Sequence, residues 1–175
     1  MKSIQRVLIF GSMGSGKSTL AKRLGAVLNL PVIHLDSYFW RPGWVEPDRE
    51  TFRAQQRELV QASQWIMDGN YSATLDERWP YADTVIFLDQ PRLRCLWRVI
   101  KRRIMYHGRS RPDLAADCPE KLDWVAFDFV WTYPRIRRPR TLAGLAEARA
   151  NKLVFHLRGD AAIEQLLLDL SQMSA

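Results

Sequence analysis

Lys17 and Ser18 close the run Gly11-Ser12-Met13-Gly14-Ser15-Gly16-Lys17-Ser18-Thr19, spaced as G-x-x-x-x-G-K-S. A loop of this composition can wrap closely around phosphate oxygens, because its glycines take backbone conformations that strain a residue bearing Cβ. Its N–H groups then act as anion donors, and the helix that follows adds the partial positive charge of its N-terminus. In such a loop Gly11, Ser12, Gly14, Ser15, Gly16 and Thr19 cradle the phosphates. Lys17 reaches the β- and γ-phosphates, and the Ser18 hydroxyl holds Mg²⁺. The chemistry expected here is binding of a nucleoside triphosphate with Mg²⁺.

Three carboxylates follow, each at the end of an apolar run: Asp36 after Pro31–Leu35, Asp68 after Ser63–Met67, and Asp89 after Asp83–Leu88. Ligands of open parallel sheets bind beyond the carboxyl ends of the strands, so the three should face one crevice. Two tasks there need a carboxylate: holding Mg²⁺ and accepting a proton from an attacking hydroxyl. Asp36 is expected to contact the acceptor, to act as base or to hold the metal. Asp68 is expected close to the acceptor. Asp89 ends its strand in the manner of a magnesium-binding acid.

Arg94, Arg98 and Arg102 recur at i, i+4 and i+8, and so share one face of a helix. Like charges at that spacing repel, so the stripe suggests an anionic partner. Arginine suits bidentate phosphate contact, and Arg98 and Arg102 are expected to neutralise charge during phosphoryl transfer. Arg109 and Arg111 fall in the polar stretch that follows, which could close as a lid and keep water out. Trp40 and Trp44 are candidates for stacking on a planar substrate, and Arg158 for stacking on a purine. Trp124, Phe127, Trp131 and Tyr133 are expected mainly to pack helices. The three histidines, His34, His107 and His156, show no metal-ligand spacing.

The elements that position these residues alternate. Strands are expected at 6–10, 31–36, 63–68, 83–89 and 151–157, each short and rich in apolar residues. Helices are expected at 18–28, at 49–61 capped by Asp48, at 75–79, and from Pro91 to about His107. Further helices are expected at 122–133 stopped by Pro134, from Thr141 to about Ala150, and at 161–173. The aromatic, proline-containing stretch 37–47 is expected to be a loop. Strand–helix–strand units of this length build a parallel sheet with helices on both faces.

The bulk numbers fit one soluble domain over all 175 residues, with 47% hydrophobic and 26% charged residues. No apolar run reaches the roughly 18 residues of a membrane span, so no membrane contact is expected. Residues 1–6 run directly into the first strand, which sets cytoplasm as the expected location. Cys95 and Cys118 are too few for a disulfide framework or a four-ligand zinc site. The charge of +7 is uneven: residues 91–140 hold 13 Lys/Arg against 5 Asp/Glu. Such a field attracts the phosphates of a nucleotide, a phosphorylated substrate or nucleic acid.

The loop Gly11–Thr19, Asp36 after the second strand, Arg98-x-x-x-Arg102 before a lid, and Arg158-Gly159 after the last strand resemble the small P-loop kinases of the adenylate kinase superfamily. More narrowly, the chain resembles a bacterial family labelled "DNA topology modulation protein" or adenylate kinase-like. That resemblance rests on Leu35-Asp36…Trp44, Trp65-x-x-Asp68-Gly69-Asn70-Tyr71, Ala82-Asp83, Leu88-Asp89-x-Pro91-Arg92, Cys95…Arg98 and Arg109…Asp113…Cys118. It covers nearly the whole chain. It implies a three-layer α/β fold of the P-loop NTPase type, with five parallel strands in the order 2-3-1-4-5, a helical lid at about 103–140 and ATP-dependent kinase chemistry. The segment after strand two departs from nucleoside monophosphate kinases, and its aromatic loop is more like that of nucleoside or small-metabolite kinases. The activity expected is ATP:acceptor phosphoryl transfer, in a monomer or homodimer. The acceptor is a nucleoside, a nucleotide or another small hydroxylated or phosphorylated metabolite. The competing readings are a nucleotide-dependent DNA-binding regulator that uses residues 91–140, and a plain NTPase with no acceptor.

Overall fold

The computed structural model describes residues 4–107, 117–118 and 124–174. Five strands, β1 (Arg6–Gly11), β2 (Val32–His34), β3 (Trp65–Asp68), β4 (Thr84–Leu88) and β5 (Leu153–Leu157), form one parallel sheet. Their order is β2-β3-β1-β4-β5, as the sequence reading expected. The seven helices among the described residues are α1 (Lys17–Leu28), α2 (Leu35–Phe39), α3 (Arg49–Leu59), α4 (Arg92–Met105), α5 (Trp124–Ile136), α6 (Arg138–Ala148) and α7 (Gly159–Ser174). Two 3-10 turns, Ser72–Glu77 and Trp79–Tyr81, link β3 to β4.

Alternation along β1 divides the core in two. Val7 and Ile9 pack with Leu20 and Leu24 of α1 and with Ile163, Leu166 and Leu170 of α7. Leu8 and Phe10 point to the other face and pack with Phe52 of α3, Tyr133 of α5 and Leu145 of α6. Burial on both faces explains why the strands read as unbroken apolar runs. A smaller cluster, Cys95, Val99 and Val130, joins α4 to α5. Asp83 fixes the start of β1, its Oδ2 accepting from the backbone N–H of Arg6 at 2.7 Å and of Gln5 at 3.1 Å.

Several local expectations change. Asp48 does cap α3, accepting from the Thr51 N–H at 2.9 Å. Residues 35–39, however, form the short helix α2 at the head of the aromatic stretch. Pro134 lies inside α5 rather than ending it, and the bond from Arg137 N–H to the Tyr133 carbonyl (3.0 Å) carries the turn past it. The basic stretch 135–140 is a helix junction, because α6 starts at Arg138 with Pro139 in its first turn, where a missing N–H costs nothing. Thr141 is therefore internal to α6. Of the aromatics expected to pack helices, Tyr133 is buried, whereas Trp124 is 82% exposed and Phe127 and Trp131 lie at the surface.

Candidate active site

β1 ends at Gly11, and the chain turns into α1 through the glycine loop. Gly14 sits at φ +73°, and a Cβ there would collide with the Cys95 carbonyl of α4. The loop is thus seated against α4 as closely as backbone allows. Gly16, at φ +98°, caps α1 without a side chain, leaving the first N–H groups of the helix open to an anion. Lys17 folds back, its Nζ donating to the carbonyls of Gly11 at 3.1 Å and Ser12 at 3.0 Å. Burial lowers the Lys17 pKa from its usual value, against the opposing pull of Asp68 and Asp36. Ser15 Oγ is buried without a hydrogen-bond partner among the described residues.

β3 lies beside β1 and brings up the first acid. Asp68 stands opposite Ile9 in the parallel register and is only 5% exposed. Its Oδ2 accepts from the Ser18 hydroxyl at 2.7 Å, while Oδ1 pairs with His34 Nδ1 at 2.5 Å. His34 is the register partner of Asp68 on β2. Ser18 and Asp68 therefore form an oxygen-lined ledge beside Lys17. Hard oxygen donors of this kind suit Mg²⁺, which takes one or two carboxylates and fills its remaining positions with water and phosphate. Among the described residues no cluster of three His, Cys, Asp or Glu side chains forms a metal cage.

Asp36, on α2, accepts from the Tyr71 hydroxyl at 2.6 Å. Burial, with Asp36 beside it, pushes the Tyr71 pKa well above the ordinary phenol value, so Tyr71 keeps its proton and serves as a donor. Asp36, Asp68 and Lys17 border one cleft of about 1620 Å³. Trp40 and Trp44 form part of its wall, with ring centroids 5.0 Å apart. Arg98, Arg102, Arg137 and Arg140 also reach it. Arg98 donates to the Ser15 carbonyl at 3.2 Å and, through Nη2, to both oxygens of Asp160 at 3.0 Å. A second hollow of about 370 Å³, lined by Ser15, Gly16, Thr19, Arg98 and Asp160, adjoins the loop.

The expected site residues thus divide. Lys17, Ser18, Asp36, Trp44, Asp68, Arg98 and Arg102 come together around the cleft. Asp89 and Arg158 do not. The Asp89 carboxylate is taken by Arg138 of α6 in a two-bond fork (2.8 and 2.8 Å), by His156 Nε2 at 2.8 Å and by Arg158 at 3.4 Å. The register explains this placement: Leu88 already pairs with Gly11, so Asp89 lies beyond the loop's first residue. Asp68 and Asp89 are offset by three residues along β1, about 10 Å. Arg158, 68% exposed, leans on that ion cluster. Arg109 and Arg111 lie outside the described residues.

Two further contributors were given no role by the sequence. Asn70 holds the loop's first residue, donating to the Gly11 carbonyl at 2.8 Å and accepting from its N–H at 3.3 Å. Arg78 holds the backbone that carries Asn70 and Tyr71. The sequence signal for Asn70 was its place directly after Asp68-Gly69; nothing local marked Arg78. Gly69 sits at φ +136° and Tyr71 at φ +22°, the latter a conformation that costs a side-chain-bearing residue about 1–3 kcal/mol.

No protein-family model matches the chain, and no curated protein does. Solved structures do. A shikimate kinase from Acinetobacter baumannii in complex with shikimate aligns over 98% of this chain and 93% of its own, at 16% identity and a TM-score of 0.62. A shikimate kinase from Bacteroides thetaiotaomicron covers 98% of each chain at 20% identity and a TM-score of 0.54. A sugar kinase from Janibacter covers 99% of each at 19% identity and a TM-score of 0.50. At such identities the likeness shows the fold, which is that of the P-loop kinases.

Proposed function

We propose that this chain is a Mg²⁺·ATP-dependent phosphotransferase acting on a small hydroxylated or phosphorylated metabolite, the class that includes nucleosides and nucleotides. The observation that carries the reading is the pairing, across one cleft, of the Lys17–Ser18–Asp68 ledge with the Asp36–Tyr71 pair. The ledge has the charge and the oxygen donors for a magnesium–triphosphate. Asp36, held by Tyr71, is a carboxylate placed to orient an acceptor hydroxyl and to take its proton as the bond to phosphorus forms. Lys17 exchanges the Gly11 and Ser12 carbonyls for phosphate oxygens. Arg98 and Arg102 then stabilise the charge on the transferring group, Arg98 by leaving Asp160. Ser18 and Asp68 would hold Mg²⁺, which when bound neutralises phosphate charge. The aromatic wall of Trp40 and Trp44 offers a flat apolar surface to the acceptor and helps to exclude water. The names of the structural neighbours, two shikimate kinases and a sugar kinase, support a hydroxylated small molecule as acceptor.

The test is a coupled ADP-release screen across nucleosides, nucleotides, sugars and hydroxylated acids. Acceptor-stimulated turnover at least tenfold above the hydrolysis background is expected for one class. Stimulation by none would leave a plain NTPase. The competing reading, a DNA-binding regulator, requires duplex binding whose affinity falls steeply with salt. Arg94, Arg98 and Arg138, three of the arginines available for such contact, already face the carboxylates of Asp160 and Asp89.

A further inference from the structure

Arg78 is fully buried, and among the described residues it has no ion-pair partner. Its guanidinium donates instead to Gln56 Oε1 at 2.6 Å and to two consecutive main-chain carbonyls, Asn70 at 2.8 Å and Gly69 at 3.2 Å. Burial draws its pKa down to about 10, so it stays charged at neutral pH. A buried cation with only neutral acceptors is costly, and an apolar side chain would fill the same space without that cost. The carbonyls it grips belong to the strained stretch, with Gly69 at φ +136° and Tyr71 at φ +22°. Strained backbone persists only where its surroundings over-determine it. The two side chains carried by that stretch go to different halves of the cleft: Asn70 to both backbone groups of Gly11, and Tyr71 to Asp36.

We infer that Arg78 is a positioning residue that couples the phosphate loop to the acceptor-side acid, acting on Gly11 through Asn70 and on Asp36 through Tyr71. Arginine is required because one planar fork reaches two carbonyls and Gln56 together; a lysine ammonium is a point donor that cannot span them. Gln56 is the distal anchor, itself held by its Nε2 donating to Thr74 Oγ1 at 2.7 Å. Phosphate loop and acceptor acid are thereby set by one buried group that touches neither substrate.

A double-mutant cycle on Mg²⁺·ATP affinity, measured by calorimetry, tests the first branch. Asn70→Ala and Arg78→Lys are each expected to weaken binding about tenfold, the cost of one hydrogen-bonded link. Because Arg78 acts through Asn70, the double variant is expected to lose little more than either single one. Independent losses that multiply to about a hundredfold would overturn the coupling. Should Arg78→Lys fail to fold, Gln56→Met loosens the same fork from its far side. Its smaller loss is expected to vanish in the Asn70→Ala background, and persistence there would overturn the inference equally. The second branch rests on the kinase reading: with the acceptor found by the screen, Arg78→Lys lowers kcat as well as raising the KM for ATP, whereas Tyr71→Phe lowers kcat alone. If wild-type protein binds Mg²⁺·ATP yet phosphorylates nothing, the kinase reading falls while the affinity cycle still decides the link to the loop. If wild-type protein does not bind Mg²⁺·ATP, both fall.

Discussion

Two aspartates end the two strands that flank β1, and they have opposite surroundings. Asp68, at the end of β3, faces a hydroxyl and an imidazole. Asp89, after β4, faces two guanidinium groups and an imidazole. The first retains oxygen geometry directed at the glycine loop and a cleft. The second has its charge absorbed, and it ties α6 and β5 to the end of the sheet. A strand-end carboxylate therefore stays turned to the cleft or becomes a staple according to what arrives from distant sequence, and according to whether it lies level with Ile9, short of the loop, or three residues further on, past the loop's first residue.

Substitutions should separate the two regions, and the largest effect is expected on the ledge. Lys17→Ala is expected to reduce phosphoryl transfer by about 10³-fold or more, since a preorganised charge at the transferring group is lost; ADP release reads this directly. Asp36→Asn should lower kcat by about 10²–10⁴-fold, the usual range for a positioned proton acceptor. Nucleotide affinity should stay within about threefold; unchanged turnover would leave Asp36 with a structural part alone. Asp89→Asn should leave kcat/KM nearly intact but destabilise the fold by about 2 kcal/mol, because the partly exposed Arg138 and His156 lose hydrogen bonds to a charged carboxylate. Differential scanning should then show a Tm lower by about 4–8 °C.

The smallest effect is on pH dependence. Burial pushes the Asp89 pKa up, but hydrogen bonds from Arg138 and His156 outweigh it, and the net shift is downward. A carboxylate depressed in the folded state contributes stability that is present above the unfolded value, about 4, and is lost as pH falls through the folded value. Urea midpoints of the wild type should therefore fall more between pH 5 and pH 3 than those of Asp89→Asn. Parallel curves would show that the ion cluster adds nothing.

Much of this was legible in the residues. Unbroken apolar runs marked the strands, because strands buried on both faces leave that signature, while the strand order came from the family resemblance alone. Lys17 and Ser18 were legible from the G-x-x-x-x-G-K-S spacing itself, and Asp36 from its place directly after a short apolar run. Asp89 was read as a magnesium-binding acid and Asp68 as lying close to the acceptor, but Val85–Leu88 and Trp65–Met67 read alike, and the partners that distinguish them, Arg138 and Ser18, lie 49 and 50 residues away. Arg78 was invisible, as burying a cation against carbonyls has no local pattern. Pro134 was read as a helix end and the next helix was expected only from Thr141, because single residues signal breaks more strongly than the packing of Tyr133 and Leu145, which holds both helices on the sheet.

The most direct test of the division between the two acids is ATP affinity, with and without Mg²⁺, for Asp68→Asn and Asp89→Asn side by side. Asp68→Asn should lose most of the magnesium-dependent gain in affinity, while folded Asp89→Asn keeps the wild-type gain. A full magnesium response in Asp68→Asn, or its loss in Asp89→Asn, would contradict the assignment.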